Sequence, residues 1–104
     1  NEEAWRTLGL ALTDQFPVAG MTLFDDACAA FAKLSSDYER MYYTAISWER
    51  YAKAQLVAGR ARNAIHAFEE AILHYNRCVR ALTTDPELAR LTEVSYELDY
   101  EFGD

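Results

Sequence analysis

The sequence predicts an all-α domain built from antiparallel helices. Half of the 104 residues are hydrophobic and only six are Gly or Pro, a composition typical of packed helices rather than of disorder. Apolar residues recur every three or four positions along most of the chain, which is the spacing of one helix face. Capping and breaking residues interrupt this pattern and predict five helices, at residues 2–13, 21–34, 38–58, 60–82 and 86–100.

The first two helices are separated by a connection that contains Pro17. Trp5, Leu8 and Leu12 lie on one side of the first helix. Pro17 forbids a continuous helix through the following residues, so we expect the second helix to start near Met21. Its predicted core stripe consists of Phe24, Ala27, Cys28, Phe31 and Leu34.

The third helix is predicted to lie at the centre of the fold. The sequence Ser35-Ser36-Asp37 has short oxygen-bearing side chains that end one helix and cap the next. Between residues 38 and 58 the apolar residues cover more than half of the helix circumference, which is typical of a helix packed between others. These residues are Met41, Tyr42, Ala45, Trp48, Tyr51, Ala52, Ala54 and Ala58.

The fourth helix follows almost at once, because Gly59 is the break that separates it from the third. A regular apolar stripe runs the length of residues 60–82, and we expect this stripe to face the core. It consists of Ala61, Ala64, Ile65, Phe68, Ala71, Ile72, Tyr75, Val79 and Leu82.

The fifth helix contains the acidic end of the chain. Asp85 can cap it, and Pro86 has the preset φ of a first helical position. From Asp85 onward seven acids stand against one base, Arg90, so most faces of this helix are acidic. Its apolar side consists of Leu88, Leu91, Val94 and Leu98. We expect Tyr96, Tyr100 and Phe102 to pack on the preceding helix, with partner binding as the alternative.

The pattern of large and small residues resembles the tetratricopeptide repeat, whose motif runs W-x2-L-G-x2-Y and then A-x3-F. The matching residues are Trp5, Leu8 and Gly9 with Ala27 and Phe31, and Trp48, Tyr51 and Ala52 with Ala64 and Phe68. The two Trp residues are 43 apart, against a family period of 34. The fourth helix also continues past Asn76, where the family usually has a proline. Across residues 3–82 the resemblance implies a divergent, right-handed TPR-like array of two helical hairpins, closed by a terminal capping helix.

By this resemblance the expected function is protein–protein interaction, as an adaptor or scaffold without catalysis. In such arrays the first helix of each pair lines a concave surface that binds a peptide or helix of a partner protein. The implied binding positions are Glu3, Arg6 and Leu10 in the first unit, and Ile46, Glu49, Arg50, Lys53 and Leu56 in the second. Glu49 and Lys53 are also spaced for an ordinary i,i+4 ion pair.

The alternative function is architectural. The domain would then be a segment of a larger helical solenoid or of a homo-oligomer, with its aromatic faces buried by self-association. A monomeric domain with an open groove would favour the first function, and a self-associating domain the second.

Catalysis, metal binding and nucleic-acid binding are not predicted. The sequence has no Gly-rich phosphate loop, G-x-S-x-G or HExxH motif. His66, Glu70 and His74 share one helix face, but the two histidines are about 12 Å apart along the helix, too far for one metal ion. A net charge of −7 disfavours phosphate binding. We therefore expect no cofactor.

The sequence also predicts a cytoplasmic protein without membrane insertion. No apolar run approaches the length of a membrane span. Cys28 and Cys78 are expected to pack as small hydrophobic residues rather than to form a disulfide, which favours a reducing compartment. Because the chain begins at Asn1, we expect a segment of a longer protein, or a processed one.

Overall fold

The structure, a computed structural model, describes residues 1–19, 21–85 and 87. All regular secondary structure within these residues is helical. The helices are α1 (Glu2–Thr13), α2 (Phe16–Ala19), α3 (Met21–Phe31), α4 (Asp37–Val57) and α5 (Ala61–Thr84). The helix predicted at residues 86–100 lies outside the described residues except for Glu87.

The connection after α1 contains a helical turn that the sequence pattern does not predict. Residues 16–19 form α2, and Pro17 lies in its first turn, where the missing N–H of proline removes no helical hydrogen bond. The Phe16 side chain is buried and contacts the rings of Phe24 and Tyr51. The expectation of a plain connection is therefore wrong at these four residues, because burial of Phe16 folds the segment onto the core.

α3 ends three residues before its predicted end. The N–H groups of Lys33 and Leu34 donate to the carbonyls three residues earlier, at 3.1 Å each, a tight 3₁₀-type ending of the helix. Leu34 is nevertheless buried, as are Phe24 and Phe31. The predicted core stripe of this helix is confirmed at these positions, although its last member lies beyond the helix.

α4 and α5 form an antiparallel hairpin around Gly59. The hydroxyl of Ser36 caps α4 by accepting from the Glu39 N–H at 3.1 Å, as the sequence predicts. Gly59 has φ +80°, and the N–H of Arg60 donates to the Gln55 carbonyl at 2.9 Å, a Schellman ending that requires this left-handed residue.

Small residues fill the contact between α4 and α5. Ala45 and Ala52 are fully buried on α4, and Ala64, Ala67 and Ala71 are almost fully buried on α5. Alanine lets two helix backbones approach closely without leaving a cavity. α4 also packs against α1, α2 and α3, which confirms its predicted central position.

The apolar stripe of α5 is only partly buried, which corrects the prediction that all of it faces the core. Ile65 and Ile72 are each 59% exposed and Val79 is 57% exposed. The stripe is wider than the surface that a single neighbouring helix can cover, and the described contact of α5 is centred on its alanines. The face of α5 that carries these aliphatic side chains is left uncovered by the described residues.

We predict that Gly9→Ala destabilises the domain. A methyl group at Gly9 would lie 2.5 Å from Cζ of Phe31, whose ring is 1% exposed and stacked on Tyr43. Alanine improves helix propensity by about 1 kcal/mol, but forcing atoms into a packed core costs about 1–3 kcal/mol. Urea unfolding should show a net loss of stability, whereas the exposed control Thr7→Ala should change it by less than about 0.5 kcal/mol. A stabilised Gly9→Ala variant would contradict the close packing of α1 on α3.

Candidate functional site

The candidate site is the side of α4 that no described helix covers. Four of the predicted binding residues form a line on this side because they are three or four positions apart. This line, the α4 stripe, consists of Ile46, Glu49, Lys53 and Leu56. Its exposure increases toward the end of the helix, where Leu56 is 56% exposed and the adjacent Val57 is 85% exposed.

Glu49 links the α4 stripe to α5. Its carboxylate accepts a hydrogen bond from the Tyr75 hydroxyl at 2.9 Å and pairs with the Lys53 ammonium at 3.0 Å. Partial burial acts to raise the pKa of Glu49, but the hydrogen bonds from Lys53 and Tyr75 outweigh it and leave the pKa below its usual value. Burial, together with the bond to Glu49, raises the pKa of Tyr75, so its hydroxyl remains a donor at neutral pH.

Arg50 lies on the other edge of the α4 stripe and ties α4 to α1. Its guanidinium donates to the Thr13 hydroxyl at 2.7 Å and to the Asp14 carboxylate at 3.0 Å. The Thr13 hydroxyl in turn donates to the Leu10 carbonyl at 2.7 Å. Arg50 therefore has a positioning role within the domain in addition to its place at the candidate site.

Two of the three positions predicted on α1, Arg6 and Leu10, are engaged within the fold, whereas Glu3 is exposed. Arg6 donates to Glu39 at 2.9 Å, a contact that raises the pKa of Arg6 and joins α1 to the first turn of α4. Leu10 is partly buried against the core rather than open to a partner. Among the predicted binding residues, those of the α4 stripe are thus more accessible than Arg6 and Leu10 on α1.

An open cleft of about 330 Å³ lies beside the α4 stripe. Its lining residues are Thr13, Asp14, Pro17, Arg50, Lys53, Ala54 and Val57. Only Arg50 and Lys53 among these were predicted as binding residues from the sequence; the other five were not. Pro17 and Asp14 reach the cleft because α2 folds the connection back onto α4, a packing effect with no signal in the sequence motif.

The described residues do not bring metal-binding side chains together. Among residues 1–19, 21–85 and 87, no group of three His, Cys, Asp or Glu side chains is placed to hold a metal ion. The His66 ring lies against the Trp48 ring, with centroids 6.3 Å apart. Burial lowers the pKa of His74, so this imidazole is neutral at pH 7 and its 3.9 Å contact with Glu70 is weak.

The two cysteines are free thiols in the structure. Cys78 is buried in the contact of α5 with its neighbour, and Cys28 is half-buried on α3. Burial raises the pKa of both thiols, which keeps them protonated at neutral pH and lowers their reactivity. They act in this structure as small packing residues.

In the described part of the chain, every helix is too short or too polar to span a bilayer. Comparisons with protein families, with curated proteins and with solved structures found no match to this chain. The tetratricopeptide resemblance therefore remains a prediction that rests on the residues named above.

We predict that Tyr75→Phe raises the pKa of Glu49 toward its ordinary value, because it removes one of the hydrogen bonds that stabilise the carboxylate. A folded-state pKa below the unfolded one stabilises the protein above the unfolded value, about 4.3, and this contribution disappears as the pH falls through the folded value. The variant should therefore lose about 1 kcal/mol at pH 7 and less below pH 4.

An NMR titration of the Glu49 carboxyl carbon, with urea unfolding at each pH, measures both effects. Tyr38→Phe is the matched control, since the Tyr38 ring is also partly buried and stacks on Tyr42. It should leave the Glu49 titration unchanged. An unchanged titration in Tyr75→Phe would show that the bond to Tyr75 contributes nothing to the charge state of Glu49.

Proposed function

We propose that this domain is a protein-interaction module, an adaptor or scaffold without catalysis, that binds a peptide or helix of a partner protein along the α4 stripe. The observation that carries the proposal is the exposed aliphatic end of α4, Leu56 and Val57, beside an open cleft with charged residues at its rim. An apolar centre surrounded by polar groups is the usual anatomy of a protein interface. Exposed apolar surface of this kind is uncommon on a protein that contacts nothing.

The charged residues around the cleft can exchange their present ion-pair partners for charged groups of a bound protein. Lys53 and Glu49 are paired with each other, and Arg50 is paired with Asp14, all at partly exposed positions. Exposed ion pairs contribute little to stability, typically less than about 1 kcal/mol, so a partner's charges can replace one member at small cost. The partner's apolar side chain would then enter the cleft against Ala54 and Val57.

A TPR-like arrangement and a cytoplasmic location belong to the same proposal. Two contacts support the repeat arrangement. Gly9 lies against Phe31, where the motif pairs a small residue with a large one, and α4 and α5 turn back on each other at Gly59. The implied concave surface is then the one on which the α4 stripe lies.

The alternative, an architectural segment, is favoured by a different observation. Ile65, Ile72 and Val79 present a second aliphatic stripe, on α5. If another copy of the chain covers this stripe, the domain should sediment as a dimer at micromolar concentration, whereas an adaptor should sediment as a monomer.

We predict that the α4 stripe retains a partner when the folded domain is used as bait in a lysate of the source cells. One variant alters the cleft beside the stripe, and a second alters the stripe itself. Val57→Ser removes apolar surface at little change in helix propensity, and Glu49→Lys with Lys53→Glu keeps an i,i+4 pair but reverses both charges. Each should lower partner retention about tenfold, the effect of losing about 1.4 kcal/mol of binding free energy.

The control for this experiment is Ala29→Ser, an exposed position on α3 that the site does not include. It should retain the partner as the parent domain does. Equal retention of the same proteins by all four baits would place binding elsewhere and overturn the assignment of the α4 stripe.

A further inference from the structure

The α5 stripe, Ile65, Ile72 and Val79, is the largest regular apolar feature that the described residues leave uncovered. Its members are seven residues apart and each is more than half exposed. The partly buried Phe68, Tyr75 and Leu82 alternate with them at intervals of three and four, and these lie at the edge of the contact with α4. A helix with this 3-4 spacing has a seam that a second helix can occupy.

We propose that the α5 stripe is the docking surface for the chain's own acidic end, residues 86–104, which packs against it as an antiparallel helix. This inference does not depend on the proposed function, because it concerns different side chains on a different helix. Three observations favour this occupant: the cap at Asp85, the length of the segment, and its charge.

A cap separates α5 from the residues that follow it. Asp85 has extended backbone angles, φ −120° and ψ 105°, and ends the helix. The Asp85 carboxylate then accepts a hydrogen bond from the Glu87 N–H at 3.0 Å, the bond by which a cap starts a new helix. A second helix that starts directly after α5 is therefore connected to it by a short turn.

As a helix, the segment is long enough to extend along the α5 stripe. At about 1.5 Å per residue, the seventeen residues from 88 to 104 span about 25 Å as a helix. In an antiparallel hairpin about Asp85, Leu91 lies opposite Val79 and Leu98 lies opposite Ile72. In the same register Phe102 lies opposite Phe68. The apolar side predicted for this segment, which includes Leu88 and Val94, therefore matches the spacing of Ile72 and Val79.

Charge complementarity favours the acidic end over a second copy of α5. Arg62 and Arg80 are exposed near the two ends of the α5 stripe, and Glu69 is exposed between Ile65 and Ile72; neither arginine forms an ion pair with a residue that the structure describes. The segment from Asp85 onward has seven acids and one base. Packing two copies of α5 together would instead bring their arginines near each other, between chains that each have a net charge of −7.

The size of the α5 stripe also favours the tethered segment over a second copy of the chain as its occupant. Three half-exposed aliphatic side chains form a patch of the size found on single proteins, about 300–600 Å², whereas a stable interface buries about 800 Å² on each partner. A tethered segment needs less area, because its effective concentration is in the millimolar range.

Disulfide trapping in the full chain tests the proposal. In a background with Cys28→Ala and Cys78→Ala, one variant carries Ile72→Cys with Leu98→Cys and another carries Val79→Cys with Leu91→Cys. Mild oxidation at low micromolar concentration should close a disulfide within one chain, at least tenfold faster than in the control Ala29→Cys with Leu98→Cys. Non-reducing gels and intact mass distinguish the products. Disulfide-linked dimers would assign the stripe to a second copy, and closure no faster than the control would show that the segment does not dock there; either result overturns the proposal.

A second test measures thermal stability and needs no cysteine substitutions. Ile72→Ser should lower the melting temperature of the full chain by about 4–8 °C, as expected when a covered aliphatic side chain is truncated. Leu56→Ser is the matched control, because Leu56 is 56% exposed against 59% for Ile72 and belongs to the α4 stripe. It should lower the melting temperature by less than 2 °C. Equal shifts in the two variants would contradict the docking of residues 86–104 but leave the proposed function of the α4 stripe untouched.

Discussion

The burial of α4 among the other helices is the constraint on which the rest of the structure depends. Ala45 and Ala52 bring α5 close to it on one side, and Tyr51 packs against both Phe16 and Phe24 on the other. Full burial of a large apolar side chain is worth about 1.5–3 kcal/mol, so the aromatic side of this contact supplies much of the free energy of folding. The alanine side of α4 buries little side-chain volume, but it allows the backbones of α4 and α5 to approach closely.

The polar contacts of the domain follow from that packing and fix its register. Arg6 joins α1 to Glu39 in the first turn of α4, and Arg50 joins the end of α1 to the second half of α4. Each pair is partly exposed and adds little stability alone. Together they hold α1 parallel to the exposed side of α4 at two separate points, which leaves the cleft between them and the α4 stripe open.

The two uncovered surfaces differ in chemistry as well as in position. The α4 stripe combines aliphatic and charged side chains that are already paired within the chain, a surface suited to a partner that binds reversibly. The α5 stripe is aliphatic along its length, with the exposed arginines Arg62 and Arg80 near its ends. The hydrogen bond between Glu49 and Tyr75 joins the two surfaces across the contact of α4 with α5.

The sequence by itself determined four of the five described helices, the caps at Ser36 and Asp85, and most of the residues able to form a core. Ser36, Gly59 and Asp85 act by local backbone chemistry, so their roles were visible without a structure. Glu49 and Lys53 pair as their spacing predicts. Such features depend on neighbours a few residues apart.

Only the tertiary structure decided which part of each apolar stripe is covered and which predicted site residues are accessible. Ala71 and Ile72 both belong to the apolar stripe predicted for α5. The orientation of α5 about its own axis buries Ala71 against α4 and leaves Ile72 exposed. Arg50 is tied to Asp14 because α1 and α4 meet there. The physical reason is that periodicity gives the direction of a side chain around its own helix, whereas burial depends on where the neighbouring helices lie.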